Sequence, residues 1–441
     1  MSSGAWACVA VAGVTAAYAL GSRRLSSTPV TSAIVFLGTG ILFGPAALGI
    51  IDLEREAAPI LVLIEAALTL VLFTDAMTVR LRDLRTGGFL PSRLLGIGLP
   101  LSIAAGWLLA WPLLPGLTGW ELALVGAILA PTDAALGKIA ISDPRVPPLV
   151  REGLNVESGL NDGMVLPFFL LFLAGVPGTS ASEEGVTGVF WRALVLSAVL
   201  GLLVGGLGGW LLQWSRARAW VTREWQQLYV PAVAAVAYGL AVVTDGSGFI
   251  AAWVAGFAFG VALRRPRAGG EVEGPDRTAD FAEDLGGLLA SLSLLVFGAV
   301  LLGPALEHLS WQIVLYALLS LTVVRMLPVA LALVGSGLRP PTVAYIGWFG
   351  PRGLASIVLA LLVVEDQVQG VEVLGRVVAV TVGLSVLLHG VSAVPLAARY
   401  GRWYGKTTAT TKGLRENMPV APAAGRRRFG SLDQLAGPTD R

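Results

Sequence analysis

The chain has 441 residues, 55 % hydrophobic and 14 % charged, with a formal net charge of +2 and a mean hydropathy of +0.74. Soluble domains carry roughly 25 % charged residues, so a soluble enzyme is excluded, and nothing in the composition points to nucleic acid or a cofactor. One cysteine, Cys8, rules out an internal disulfide and a multi-cysteine metal site, and His308 and His389 are too far apart in sequence for a local metal motif.

Runs of about 20 apolar residues, each able to span the hydrocarbon core, recur from end to end. Thirteen segments can be drawn: 3–21, 30–48, 56–79, 90–114, 119–139, 146–174, 187–214, 226–244, 248–263, 280–303, 309–336, 342–364 and 373–398. Each is expected to be a helix, because an open strand edge cannot be satisfied in lipid. The expectation is an all-α polytopic membrane protein with one membrane domain, residues 1–400. The first segment lacks a basic leading region and is followed by Arg23 and Arg24, so it reads as a retained span. Links after helices 1, 3, 5, 7, 9 and 11 hold seventeen Lys and Arg, against three (Arg55, Arg192, Arg376) in the opposite links. By the positive-inside rule the N-terminus is outside and the C-terminus cytoplasmic, which requires an odd number of spans. Residues 401–441, with the Arg426-Arg427-Arg428 run, read as a disordered basic tail held near anionic headgroups.

Two helices carry breaks at mid-membrane. Pro131 in helix 5 lacks an N–H and clashes with the Ala127 carbonyl; Gly350-Pro351-Arg352-Gly353 in helix 12 frees the Gly347 carbonyl. With helices 1–6 and 8–13 taken as two halves, both breaks fall in the fifth helix of their half. Paired interruptions of this kind point to an inverted-repeat transporter.

Intramembrane charge lies beside the breaks: Asp133 after Pro131-Thr132, and Glu157 and Asp162 in Glu157-Ser158-Gly159-Leu160-Asn161-Asp162-Gly163. Each such residue costs at least ~2.5–3.5 kcal/mol to insert, so an ion or proton pathway is the default reading. Glu157 and Asn161, like Ser158 and Asp162, are four apart and share a helix face. The stripe offers carboxylate, hydroxyl and amide oxygens, which suit a small hard cation; Thr132 and Asp133 can add to it. Glu157 and Arg352 are at similar depth and are expected to pair, since an unpaired buried charge is strongly destabilising. Arg325 snorkels or pairs with a neighbour. Asp75, near the end of helix 3, either lines an access funnel or marks the helix boundary. Asp245 belongs to an outer turn, and His389 is expected to be a packed helix residue.

The blocks Thr132-Asp133, residues 157–163 and Phe349-Gly350-Pro351-Arg352-Gly353-Leu354-Ala355-Ser356, in this order and spacing, resemble the monovalent cation/proton antiporters, in the NhaP-like branch of sodium/proton exchangers. Gly246-Ser247-Gly248-Phe249-Ile250-Ala251 and the Asp75 region are similar to that family too. The resemblance implies a thirteen-helix inverted repeat working as a homodimer. Helices 1–3 and 8–10 would form the dimer scaffold, and helices 4–6 and 11–13 the moving core. It implies that Asp162 binds cation and proton in alternation, that Thr132, Ser158 and Asp133 complete the site, and that Glu157 pairs with Arg352. Asn161, where other branches carry a second aspartate, resembles the electroneutral exchangers. The chain departs from the family's pattern at Ala134, usually proline, and at Asp75, often glutamate.

The expected function is therefore Na⁺/H⁺ exchange, with K⁺ or Li⁺ as alternative cations, serving pH homeostasis at the cell membrane. Competing readings are a K⁺ efflux system or cation channel, a carrier for an organic solute, and an intramembrane aspartyl protease using Asp133 and Asp162. The protease would bring those two carboxyls into contact; a K⁺ efflux system often adds a nucleotide-binding domain, and residues 399–441 hold no Gly-x-Gly-x-x-Gly pattern.

Overall fold

In a computed structural model, residues 3–25, 28–49, 57–79, 89–133, 136–137, 141–179, 182, 185–264, 275–366 and 368–418 are described. Among them there are helices and turns but no strand; helices are one of the two ways a chain can satisfy its backbone in lipid. The helices are α1 (Ser3–Leu25), α2 (Ser32–Phe43), α3 (Ala57–Thr78), α4 (Phe89–Leu113), α5 (Gly119–Ile128), α6 (Pro148–Gly175) and α7 (Thr187–Ala217). They continue with α8 (Arg223–Val243), α9 (Gly248–Leu263), α10 (Thr278–Glu307), α11 (Trp311–Ala332), the half-helices α12a (Pro340–Trp348) and α12b (Leu354–Glu365), and α13 (Val371–Thr410). Among the described residues eight helices are long and apolar enough to cross a membrane; α2, α5, α9 and most of α12b are shorter apolar helices. Helix starts are set locally: Thr31, Ser247 and Ser310 accept from the backbone three residues on, and Thr118 with Glu121 forms a capping box.

The helices pack in two groups. In the first, α3 packs on α8, α9 and α10, α7 on α8 and α9, and α2 on α10. Small residues allow this closeness: a Cβ at Gly256 or Gly260 of α9 would overlap the Phe73 or Met77 carbonyl of α3. In the second, α4 packs on α5 and α11, α5 on α6 and α13, and α13 on α11 and α12b. The groups meet where α6 touches α3 and α9, and where α12b touches α3.

The expected boundary between membrane domain and disordered tail at residue 401 is corrected. α13 runs unbroken to Thr410, and a 3-10 turn at Arg415–Asn417 folds back against the bundle. The cause is packing: Tyr400 stacks on Tyr345 of α12a with centroids 4.4 Å apart, the turn packs against α6, and Glu416 is 0 % exposed. The Arg426-Arg427-Arg428 run lies outside the described residues.

Candidate functional site

Both interruptions expected from the prolines are present. The α-helix of α5 stops at Ile128, and residues 131–133 are non-helical. α12a stops at Trp348, residues 349–353 are non-helical, and α12b starts at Leu354. The two irregular stretches bond to each other: Asp133 N–H donates to the Pro351 carbonyl at 2.7 Å.

Carbonyls and N–H groups freed by the breaks are satisfied by side chains from the other break or from α13. The Ser356 hydroxyl donates to Ile128 O at 2.6 Å, and Arg352 Nη1 to Ala130 O (2.8 Å) and Pro131 O (3.1 Å). Leu354 N–H donates to the Asp133 carboxylate at 3.3 Å. A cation thus sits at the negative end of α5 and an anion at the positive end of α12b, each the favourable sign for a helix dipole. Position 353 must be glycine here, because a Cβ would overlap the Asp133 carboxylate. Arg352 N–H donates to Ser385 Oγ (2.7 Å), Ser385 Oγ lies 3.1 Å from His389 Nδ1, and His389 Nε2 lies 2.9 Å from Trp348 O. His389 is therefore a packed helix residue lying between Ser385 of its own helix and the carbonyl at the end of α12a.

The expected Glu157–Arg352 ion pair is corrected. Glu157 is held by Arg325 of α11 in a two-pronged pair, Nη1–Oε1 2.7 Å and Nη2–Oε2 2.8 Å, with side chains 2–3 % exposed. Arg325 reaches across the break because position 350 has no side chain: a Cβ there would overlap its guanidinium. Arg352 serves the α5 carbonyls instead, and its Nε and Nη2 are buried without a hydrogen-bond partner.

The ion-binding candidates come together around Thr132. Asn161 Nδ2 donates to Thr132 Oγ1 at 2.6 Å, and Thr132 Oγ1 lies 3.2 Å from Ser158 Oγ. Asp162, on the same face as Ser158, is buried beside them. Asp133 and Asp75 are both within electrostatic range of Asp162. Two oxygens, Asp162 Oδ1 and Asn161 Oδ1, are buried with no hydrogen-bond partner among the described residues. Each such orphan costs about 1–3 kcal/mol, more for a charged group, and both are hard donors suited to a small monovalent cation. Among the described residues no group of three or more His, Cys, Asp or Glu is arranged to hold a metal ion.

The first packing group touches α6 beside the site. A Cβ at Gly159 would meet the Asp75 side chain at 3.3 Å, which puts Asp75 against the helix that carries Asp162. The indole of Trp253 on α9 lies over Gly163, next to Asp162, with its Nε1 buried and unpartnered. Past the other end of α6, a cavity of about 460 Å³ is lined by Phe169, Leu173, Glu65, Arg192, Asp245 and Asp366, among others. Asp245 there has a positive φ of 57°, consistent with a turn residue. Sequence reasoning left Trp253, Ser356 and Ser385 unassigned; in apolar helices nothing but proximity to the breaks marks them.

The comparisons with known proteins agree with this geometry. Residues 10–399 match the family described as "Sodium/hydrogen exchanger, transmembrane". A K(+)/H(+) antiporter NhaP of Alkalimonas amylolytica is 27 % identical over 394 residues, 88 % of this chain and 65 % of that protein. A Na(+)/H(+) antiporter 2 of Zygosaccharomyces rouxii is 23 % identical over 74 % of this chain and 45 % of its own length. The chain thus spans less than two thirds of these relatives' lengths. The solved structure of the sodium proton antiporter MjNhaP1 from Methanocaldococcus jannaschii at pH 8 shares the fold, with a TM-score of 0.71 over 90 % of this chain and 98 % of that one at 21 % identity.

Proposed function

The chain belongs to the transmembrane sodium/hydrogen exchanger family, and from that premise we propose that it is a secondary antiporter, not an enzyme, exchanging a monovalent cation for H⁺ across the cell membrane. The observation that carries this is the pair of buried, unpartnered oxygens, Asp162 Oδ1 and Asn161 Oδ1, beside the crossed breaks. A carboxylate in such a place needs a positive partner. A proton or a small cation can supply it, and competition for one group is the minimal chemistry of exchange. Asp162 is the exchanging group; Asn161, Ser158 and Thr132 supply neutral oxygens, and Asp75 faces the site from the opposite group. Asp133 acts mainly on the α12b end through Leu354 N–H, which removes support from a protease with two contacting aspartates.

Alternating access would move the second group, α4–α6 and α11–α13, past the first. The sliding contacts would be Gly159 on Asp75 and Gly163 on Trp253. A homodimer through α1–α3 and α8–α10, with the N-terminus outside and the C-terminus cytoplasmic, follows the family resemblance and the placement of basic links. Na⁺ is the first choice of cargo; K⁺ has support from relatives named K(+)/H(+) antiporters, and Li⁺ shares the same hard-ligand chemistry.

The stoichiometry is one cation for one proton. Asn161 is neutral, Glu157 is locked to Arg325, and with Asp133 and Asp75 each keeping one protonation state through the cycle, Asp162 is left to alternate. Proteoliposomes with an internal pH dye test both points. Na⁺, K⁺ or Li⁺ added in turn should dissipate a pH gradient. An imposed potential of ~100 mV, worth about 2.3 kcal/mol per net charge moved, should leave the flux unchanged. A cation-dependent proton flux driven by voltage alone contradicts the one-for-one exchange; a cation current without proton movement favours the channel.

A further inference from the structure

Beyond the end of α13, the short turn Arg415–Asn417 makes contacts out of proportion to its size. Glu416 is fully buried, and its Oε1 accepts from the Arg339 backbone N–H (2.9 Å) and the Thr342 hydroxyl (2.8 Å). Arg339 is the N-cap of α12a, and the next two residues, Pro340 and Pro341, have no N–H to offer. The carboxylate therefore takes the free donor at the start of this half-helix, at its positive dipole end. The other half-helix, α12b, receives the Asp133 carboxylate in the same manner. On either side of Glu416, the Arg415 guanidinium lies 4.9 Å over the Phe89 ring of α4, and Asn417 Oδ1 accepts from Tyr404 OH at 2.5 Å. The turn also packs against α6, the helix of Asp162.

A continuous stack leads from this clasp to the break. Thr342 Oγ1 is 3.0 Å from Tyr400 OH; Tyr400 stacks on Tyr345 with centroids 4.4 Å apart, and Tyr345 lies 4.6 Å from Phe349. Phe349 adjoins Gly350, over which Arg325 passes to Glu157, and lies three residues before Arg352. The pose of α12a is thus fixed at one end by Glu416 and read at the other by the residues that brace the ion site.

We propose that Glu416 is a positioning residue for exchange: by anchoring the start of α12a it holds the break of helix 12 in register with α6. Residues 414–418 are then part of the transport core. This rests on the exchange reading above, so its test needs a readout that does not depend on transport. Full-length Glu416→Ala and Glu416→Gln are compared with the parent and with Glu372→Gln, which alters an exposed acid on α13. The readouts are the apparent KM for the cation, the maximal exchange rate, and amide hydrogen exchange of α12a.

Glu416→Ala should raise the apparent KM roughly five-fold, as expected for one lost helix-end charge and its hydrogen bonds. The maximal rate should change less, and protection should fall at the amides of residues 342–349. Glu416→Gln should fall between, and Glu372→Gln should match the parent. Unchanged KM and unchanged α12a protection in Glu416→Ala overturn the proposal, as does a fall in stability with KM unaltered. If the parent itself exchanges nothing, the functional reading fails, and the α12a protection still decides whether the turn holds that half-helix.

Discussion

Removing Glu157 should cost the protein more than removing its partner Arg325, because a third charge is present. Glu157 accepts two charge-assisted bonds of 2.7 and 2.8 Å from Arg325, and Arg352 is within electrostatic range of both. In Glu157→Gln the two guanidinium groups are left facing each other without an anion, and the cost should fall in the range of about 3–5 kcal/mol found for broken buried pairs. In Arg325→Gln, Glu157 keeps a nearby cation whose Nε and Nη2 are unpartnered, so about half that cost is expected. The double variant Glu157→Gln/Arg325→Gln should cost less than the sum of the singles, since one cation then remains beside neutral groups. Denaturation midpoints of purified protein in detergent, read by tryptophan fluorescence, give the three values. Equal costs for the two singles, or strict additivity in the double, would refute the reasoning and return Glu157 to the pool of ion ligands.

Two further perturbations probe the surroundings. Gly163→Ala puts a methyl into the Trp253 indole; overpacking of this sort costs about 1–3 kcal/mol, and exchange should fall sharply while Gly163→Ala/Trp253→Leu recovers part of it. Unimpaired exchange by Gly163→Ala would argue against tight contact between the two helix groups. Outside the membrane segments, the Arg145 side chain bonded to Asp143 holds that carboxyl below its usual value. A depressed folded-state value means stability that is present near neutrality and lost as pH falls through that value. Asp143→Asn should therefore be less stable than the parent at pH 7 and indistinguishable from it in strong acid; a gap that widens on acidification would contradict this.

The places where the sequence was readable are those where one residue dictates the backbone. Pro131 and Gly350-Pro351 forced both helix breaks, and the spacing of Ser158 and Asp162 put them on one face. The error over Glu157 came from depth without azimuth. Arg325 and Arg352 sit at comparable depth on neighbouring helices, and the choice between them depends on the bare Cα of Gly350, which lets Arg325 pass, and on the α5 carbonyls that claim Arg352. Asp133 reads in the sequence both as an ion-site residue and as a support for the broken helix ends; the particular donor, Leu354 N–H, is a backbone group that leaves no mark in a sequence. Glu416 was hidden for a different reason: in a stretch rich in Lys, Thr and Pro, one acid reads as solvated until the start of α12a is placed against it.

Proton release on cation binding tests the central claim most directly. Purified protein in weak buffer, at a pH where the loaded carboxyl is protonated, is mixed with Na⁺, K⁺ or Li⁺ while free H⁺ is followed by an indicator. If Asp162 alternates between the two, each cation bound should expel about one proton, the ratio should be the same for every cation that binds, and Asp162→Asn should release none while remaining folded. Cation binding without proton release, or undiminished release from Asp162→Asn, would contradict exchange at this carboxylate.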